Sequence, residues 1–136
     1  MTSVVTCVLK DSSGKILILK RSNKVGTYKG LWSGVSGYVE ENEKPKDTAY
    51  KEISEEVGLN KKEVKLVKNS DPIEFSDVCD SKSYNWKIFP FLFEVLKKDK
   101  INIDWEHSDY DWIDPVDIEK FDTVPHFLDV VSSLFE

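Results

Sequence analysis

The sequence predicts an α/β fold in which helices cover both sides of a mixed β-sheet. Three observations predict it. Short runs rich in β-branched and aromatic residues recur along the chain between turn signals. A central segment from Pro45 to about Val57 carries Ala49, Ile53 and Val57 at four-residue spacing, with Tyr50 beside them, as one face of a helix requires. The last stretch, Val124–Phe135, places Phe127, Leu128, Val131, Leu134 and Phe135 at helical spacing. A chain of 136 residues is expected to form one domain, 1–136, large enough to bury a core.

The elements follow in order. Val4–Leu9 and Ile16–Leu19 read as strands around a turn at Asp11-Ser-Ser-Gly14. Ser22–Gly30 reads as a loop, and Leu31–Val39 as a strand broken by Gly34 and Gly37. Pro45 suits the first turn of the central helix, and Gly58 suits a left-handed stop. Val64–Val67 is a short strand, the polar segment Ser70–Ser83 a long loop, and Trp86–Leu96 the strongest strand signal. Tyr110–Ile113 is another short strand. Asp114-Pro115 opens a short helical turn before the C-terminal helix.

Composition narrows the function. Hydrophobic residues are 40% and charged residues 32% of the chain, ordinary values for a globular protein in water. No apolar run approaches the roughly 20 residues of a membrane span. The start, Met-Thr-Ser-Val-Val, lacks the basic beginning of a signal peptide. Cys7 and Cys79 lack metal-ligand spacing, and Cys7 sits in an apolar run. A cytoplasmic, reducing location without a membrane partner is therefore expected. The net charge of −6 argues against a stable nucleic-acid partner. A monomer and a homodimer both remain open.

Charge distribution says more than charge sum. Ser12–Val39 holds no acid but carries Lys15, Lys20, Arg21, Lys24 and Lys29. Glu40–Glu56 then holds seven acids against three lysines. Within it, Glu52, Glu55 and Glu56 stand at i, i+3, i+4, on one face of the predicted helix and toward its C-terminal end. Like charges repel there, and the helix dipole disfavours them as well. A helix selected for stability alone would avoid both. A divalent cation such as magnesium, held by carboxylate oxygens and serving a phosphate substrate, would compensate. The upstream basic residues would then meet phosphate oxygens beyond the metal's reach.

The run Gly37-Tyr-Val-Glu-Glu-Asn-Glu43, seven residues, then Lys51-Glu52-Ile53-Ser54-Glu55-Glu56-Val57-Gly58-Leu59 resembles the signature of the Nudix hydrolases, the MutT-like pyrophosphohydrolases. It matches every fixed position except the arginine, which is Lys51 here. The resemblance implies an α/β/α sandwich with a mixed β-sheet and a loop-helix-loop catalytic motif. It implies magnesium, or manganese in its place, held by Glu52, Glu55, Glu56 and the Gly37 carbonyl. Glu43 would fix the loop before the helix. It further implies water attack at phosphorus in a nucleotide-like small molecule. Trp105-Glu106-His107 up to Trp112 resembles a Glu-His segment of the dinucleoside-tetraphosphate and dihydroneopterin-triphosphate branches, in which the glutamate reaches the metal from across the cleft. Glu106 is the matching candidate. His107 and His126 read as surface or capping residues. Arg21, Tyr28, Lys29 and Trp32 are candidates to grip a base or distal phosphate, with Trp32 also suited to packing under the catalytic loop.

Lysine at position 51 keeps the charge of the family's arginine but not its planar fork. Two readings follow: a pyrophosphohydrolase, or a catalytically weak nucleotide-binding module of the same fold. A prenyl-diphosphate isomerase of this fold would need a catalytic cysteine, which neither Cys7 nor Cys79 matches.

Overall fold

The computed structural model describes residues 1–135; residue 136, the last of the expected domain, lies outside the described residues. Eight strands form one mixed sheet: β1 Thr2–Lys10, β2 Ile16–Arg21, β3 Trp32–Ser33, β4 Val35–Tyr38, β5 Val64–Asn69, β6 Ile73–Cys79, β7 Lys82–Val95 and β8 His107–Ile113. Helix α1 spans Pro45–Val57 and α2 spans Phe127–Leu134, with short 3-10 turns at Lys98–Lys100 and Pro115–Lys120. Strand β1 is the hub. It runs parallel to β7 and antiparallel to β4, and meets β2 at Lys10↔Ile16.

Alternation along β1 divides the core. Val5, Cys7 and Leu9 face α1, where they pack with Ala49, Ile53, Val57 and the β7 residues Phe91, Phe93 and Val95. Val8 faces the other way, with Ile16 and Ile18 of β2, Ile88 and Leu92 of β7, and Phe127, Val130, Val131 and Leu134 of α2. Each helix thus buries its apolar stripe on one sheet face, the α/β/α arrangement expected. Among the described residues no helix is long and apolar enough to cross a membrane.

The segment Ser70–Ser83 is not the long loop its polarity suggests. Strand β6 occupies half of it and pairs antiparallel with β7 from Ile73↔Ile88 to Cys79↔Lys82. Asp80 and Ser81 turn the chain with φ of 50° and 63°. Both central residues being left-handed marks the two-residue turn that matches strand twist. Glycine usually supplies that geometry, so Asp-Ser hides it. The C-terminal helix also starts later than the apolar spacing suggests. Residues 122–124 run beside β3, with Trp32 N–H donating to the Asp122 carbonyl and Val124 N–H to the Trp32 carbonyl, and Pro125 then breaks the pattern.

The first turn is held by one side chain. The Asp11 carboxylate accepts bonds from Ser13 N–H, the Ser13 hydroxyl, Lys15 N–H and Lys98 Nζ, at 2.8–3.0 Å. Burial pushes its pKa up, but Lys98 and the turn donors outweigh that and bring it to about 2. Asp11→Ala is expected to cost about 2 kcal/mol, the worth of hydrogen bonds to a charged group. A carboxyl depressed in the folded state stabilises fully above its unfolded value of about 3.9. The melting-temperature gap between wild type and variant should therefore close as pH falls from about 4 toward 2.

Candidate functional site

Helix α1 grades its three signature carboxylates by depth. Glu55 is exposed, Glu52 half-buried and Glu56 buried at 1% exposure. Glu56 follows Ala49 and Ile53 at helical spacing, so it lies on the stripe that packs against the sheet. Among the described residues its Oε1 receives only a long bond, 3.4 Å, from Ser36 N–H of β4, and its Oε2 has no hydrogen-bond partner. Burial first, then Glu106 and Glu52, drive its pKa well up. Burial also raises Glu52, and repulsion from Glu55 adds to it.

The end of α1 brings the far wall of the site into place. Gly58, at φ 74°, stops the helix, with its N–H on the Ser54 carbonyl. The open carbonyls of the last turn are met by a strap: Asn102 N–H bonds to Val57 O at 2.9 Å and Asp104 N–H to Glu56 O at 3.1 Å. Two residues later the strap delivers Glu106. Ser22 clamps it from the other side, its N–H on the Glu106 carbonyl and its hydroxyl on the Trp105 carbonyl, both at 2.8 Å. Burial raises the Glu106 pKa, reinforced by Asp104 and Glu52 and opposed by Arg21.

His107 is not the surface or capping residue its sequence suggested. It is buried, with Nδ1 3.2 Å from Asp104 Oδ1 and Nε2 3.6 Å from Glu56 Oε1. Burial pulls its pKa down against the attraction of Asp104. The Asp104 carboxylate can only accept, so Nδ1 keeps the proton of the neutral ring and Nε2 turns a lone pair to Glu56. The imidazole therefore does not neutralise Glu56. Strand phase does not signal the burial of His107: Ile113 of the same strand packs on the α2 side, whereas His107, beyond an irregularity in the β2 pairing, meets Glu56 of α1. His126 is a capping-type residue, preceding α2 in left-handed backbone with Nδ1 2.8 Å from Asp129.

Glu52, Glu55, Glu106, Gly37 and Arg21 line one cleft of about 340 Å³. Arg21 comes from the end of β2, its Nε donating to the Thr27 carbonyl at 2.9 Å and its Nη2 to the Thr27 hydroxyl at 3.3 Å. Those two bonds fix the guanidinium plane. The other half of the cleft is apolar and aromatic, lined by Val4, Tyr28, Tyr38, Phe75, Trp86 and Ile88. Trp86 stands on the strand with the strongest sequence signal, and Phe75 in the segment whose polarity suggests a loop. Lys29 is exposed and lies outside the cleft lining, and Trp32 packs edge-on against Phe121 at 5.4 Å, also outside it.

Lys51 does not reach across to the carboxylate triplet. Its Nζ pairs with Glu43 Oε2 at 2.7 Å, while Glu43 Oε1 accepts from Glu40 N–H and the Thr48 hydroxyl. Lys51 first, then the Glu40 N–H, hold the Glu43 pKa down at about 2. Glu43 thus ties the loop to the helix, and Lys51 holds Glu43. Lys51→Arg should keep turnover, because a guanidinium can make the same contact. Lys51→Ala should cost about 10–100-fold, as for other groups that orient a ligand through a second residue. Equal losses in both variants, with folding intact, would sink this account.

Among the described residues no three acidic, imidazole or thiol groups already converge as a finished cation cage. The donor chemistry nevertheless fits one. A buried carboxylate oxygen without a partner is costly unless a cation satisfies it. Hard divalent cations take such oxygens, and Glu52, Glu55, Glu56 and Glu106 are on hand. Carboxylates on a helix, a fixed arginine and an aromatic chamber thus share one cleft.

The NUDIX domain model matches residues 1–133, and the chain belongs to that family. It is a Nudix hydrolase, an enzyme of phosphoric anhydride bonds. Nucleoside triphosphatase NudI of Escherichia coli is 28% identical over 125 residues, 87% of this chain and 86% of that protein. The fold is shared with the MutT protein of Methanosarcina mazei, at TM-score 0.74 and 21% identity over 96% of this chain and 90% of that one. It is shared too with the dihydroneopterin triphosphate pyrophosphohydrolase of E. coli, at TM-score 0.77 and 18% identity over 96% and 92%.

Proposed function

We propose that this chain is a magnesium-dependent pyrophosphohydrolase, with manganese as an alternative metal, cleaving a diphosphate linkage in a nucleoside triphosphate or related nucleoside-diphosphate derivative. The observation that carries the reading is Glu56: a buried carboxylate whose Oε2 has no partner among the described residues, one turn along α1 from Glu52, which lines the cleft. Glu52, Glu55, Glu56, the Gly37 carbonyl and Glu106 would hold the metal. Bound there, magnesium would neutralise phosphate charge and lower the pKa of a coordinated water. Arg21, with Nε and Nη2 spent on Thr27, keeps Nη1 for a phosphate oxygen. The aromatic chamber suits a planar ring. The nucleoside triphosphatase named among the relatives is in keeping with this reading.

The test is phosphate and pyrophosphate release from nucleoside triphosphates, dinucleoside polyphosphates, nucleotide sugars and dihydroneopterin triphosphate, with and without magnesium. Turnover should need both the metal and Glu56, with Glu56→Gln as control. Folded protein that turns over none of them would leave a nucleotide-binding module instead.

A further inference from the structure

Trp86 is the centre of an aromatic ladder. Tyr84 stacks on it at 4.9 Å and 10°, Tyr38 at 6.3 Å and 24°, and Tyr28 leans on it at 6.5 Å. Tyr28, Tyr38 and Trp86 face the cleft, beside the apolar side chains of Val4, Phe75 and Ile88. A wall of this kind offers a planar ring a large stacking surface.

Three polar groups along that wall are already paired. Trp86 Nε1 donates to the Tyr28 hydroxyl at 3.3 Å, and that hydroxyl donates to Asp77 Oδ2 at 2.7 Å. The relay joins the loop before β3 to the β6–β7 hairpin, and it uses up both donors that the aromatic residues 28 and 86 could have turned to a ligand. The Ser33 hydroxyl is likewise taken by the Gly34 carbonyl at 2.9 Å. Thr6 and Ser36, paired across β1 and β4, and the exposed Tyr38 bring hydroxyls to the lining. A hydroxyl rotates to donate or to accept, so it does not separate one ring edge from another. Glu40, a fixed acceptor, is exposed to water.

We infer that this end of the cleft grips a planar ring by stacking on Trp86 without reading its edge, so that the enzyme accepts nucleoside triphosphates with little regard to the base. The inference rests on the nucleotide reading above. Its physical basis is a difference in scale. Apolar pockets separate near-isosteres by about 10–200-fold, whereas sites that hydrogen-bond a substrate group reject analogues by about 10⁴–10⁵-fold.

The experiment is kcat/KM for the ribo- and deoxyribonucleoside triphosphates of all bases, in magnesium, on wild type, Trp86→Phe, Trp86→Leu and Tyr28→Phe. The wild-type values should lie within a hundredfold of one another; a preference of a hundredfold or more for one base overturns the inference and leaves the hydrolase reading intact. Trp86→Phe should keep the wild-type pattern. Trp86→Leu, if its melting curve shows a folded protein, should raise KM about ten- to hundredfold and equally for every base. An unequal loss counts against the stack. Tyr28→Phe frees the Trp86 N–H and the Asp77 carboxylate, so the spread among bases should widen; an unchanged or narrower spread overturns the role given to the relay. Turnover on no triphosphate would instead overturn the hydrolase reading. Quenching of tryptophan fluorescence by non-hydrolysable triphosphate analogues would then decide the stack by itself: equal midpoints for all bases support it, and a hundredfold difference sinks it.

Discussion

Glu56→Gln is expected to lower turnover at least about a hundredfold while raising the metal-free melting temperature. Loss of an outer partner of a metal ligand already costs about 10–100-fold, and loss of the ligand itself should cost more. The stability change runs the other way. Glu56 is buried at 1% exposure with one long bond to Ser36 N–H, and its Oε2 is unsatisfied. Glutamine has the same shape and removes an ionisation that burial first, then Glu106 and Glu52, oppose. The two effects separate cleanly in a melting experiment. Magnesium at about 100 times its Kd should stabilise the wild type by about 2.7 kcal/mol, because it binds the folded chain alone. That is on the order of 10 °C for a chain of this size. The variant should lose most of that rise. A Glu56→Gln protein that magnesium still stabilises as strongly as wild type would remove Glu56 from the metal site, whatever its activity.

The carboxylate triplet was readable from sequence because its violation is local: three acids on one helical face need no knowledge of the rest of the chain. Depth was not readable in the same way. Period alone puts Glu56 beside Glu52 and Glu55, yet Ala49, Ile53 and Val57 draw the face it shares onto β1, and only the packed sheet shows that it is buried. Sequence neighbours single out Glu106, which lines the cleft, while nothing in them shows that His107 beside it is buried. The strand that buries it is mostly polar, with Ser108, Asp109, Tyr110 and Asp111 exposed, so no apolar alternation betrays it. The aromatic chamber was the least visible part. Phe75 and Asp77 sit on β6, which closes through an Asp80-Ser81 turn instead of a glycine turn, and Tyr28 comes from a loop. Their meeting is a property of strand register, Phe75↔Trp86 and Asp77↔Tyr84, which a single sequence does not encode in any local pattern.

Gly37→Ala should disable the site and leave the fold standing, and Gly34→Ala should do the reverse. The two glycines lie three residues apart and neither has left-handed backbone, so alanine meets no torsional penalty at either. What differs is the atom in the way. A Cβ on Gly37 would come within 3.0 Å of the Cγ, Cδ and Oε1 of Glu52. That side chain can swing aside, but only by leaving the place where it meets Glu56. Misplacement of a reacting group by about 1 Å costs on the order of a hundredfold in rate, so a loss of that size is expected. A Cβ on Gly34 would instead lie 2.5 Å from the Cys7 carbonyl oxygen, in the middle of β1, where backbone must yield. Overpacking of that kind costs about 1–3 kcal/mol. A double-mutant cycle shows whether Gly37 acts through Glu52. In a chain already carrying Glu52→Ala, Gly37→Ala should add little further loss, because the carboxylate it displaces is gone. Full additivity of the two losses would mean that Gly37 contributes by another route, its own carbonyl being the nearest candidate.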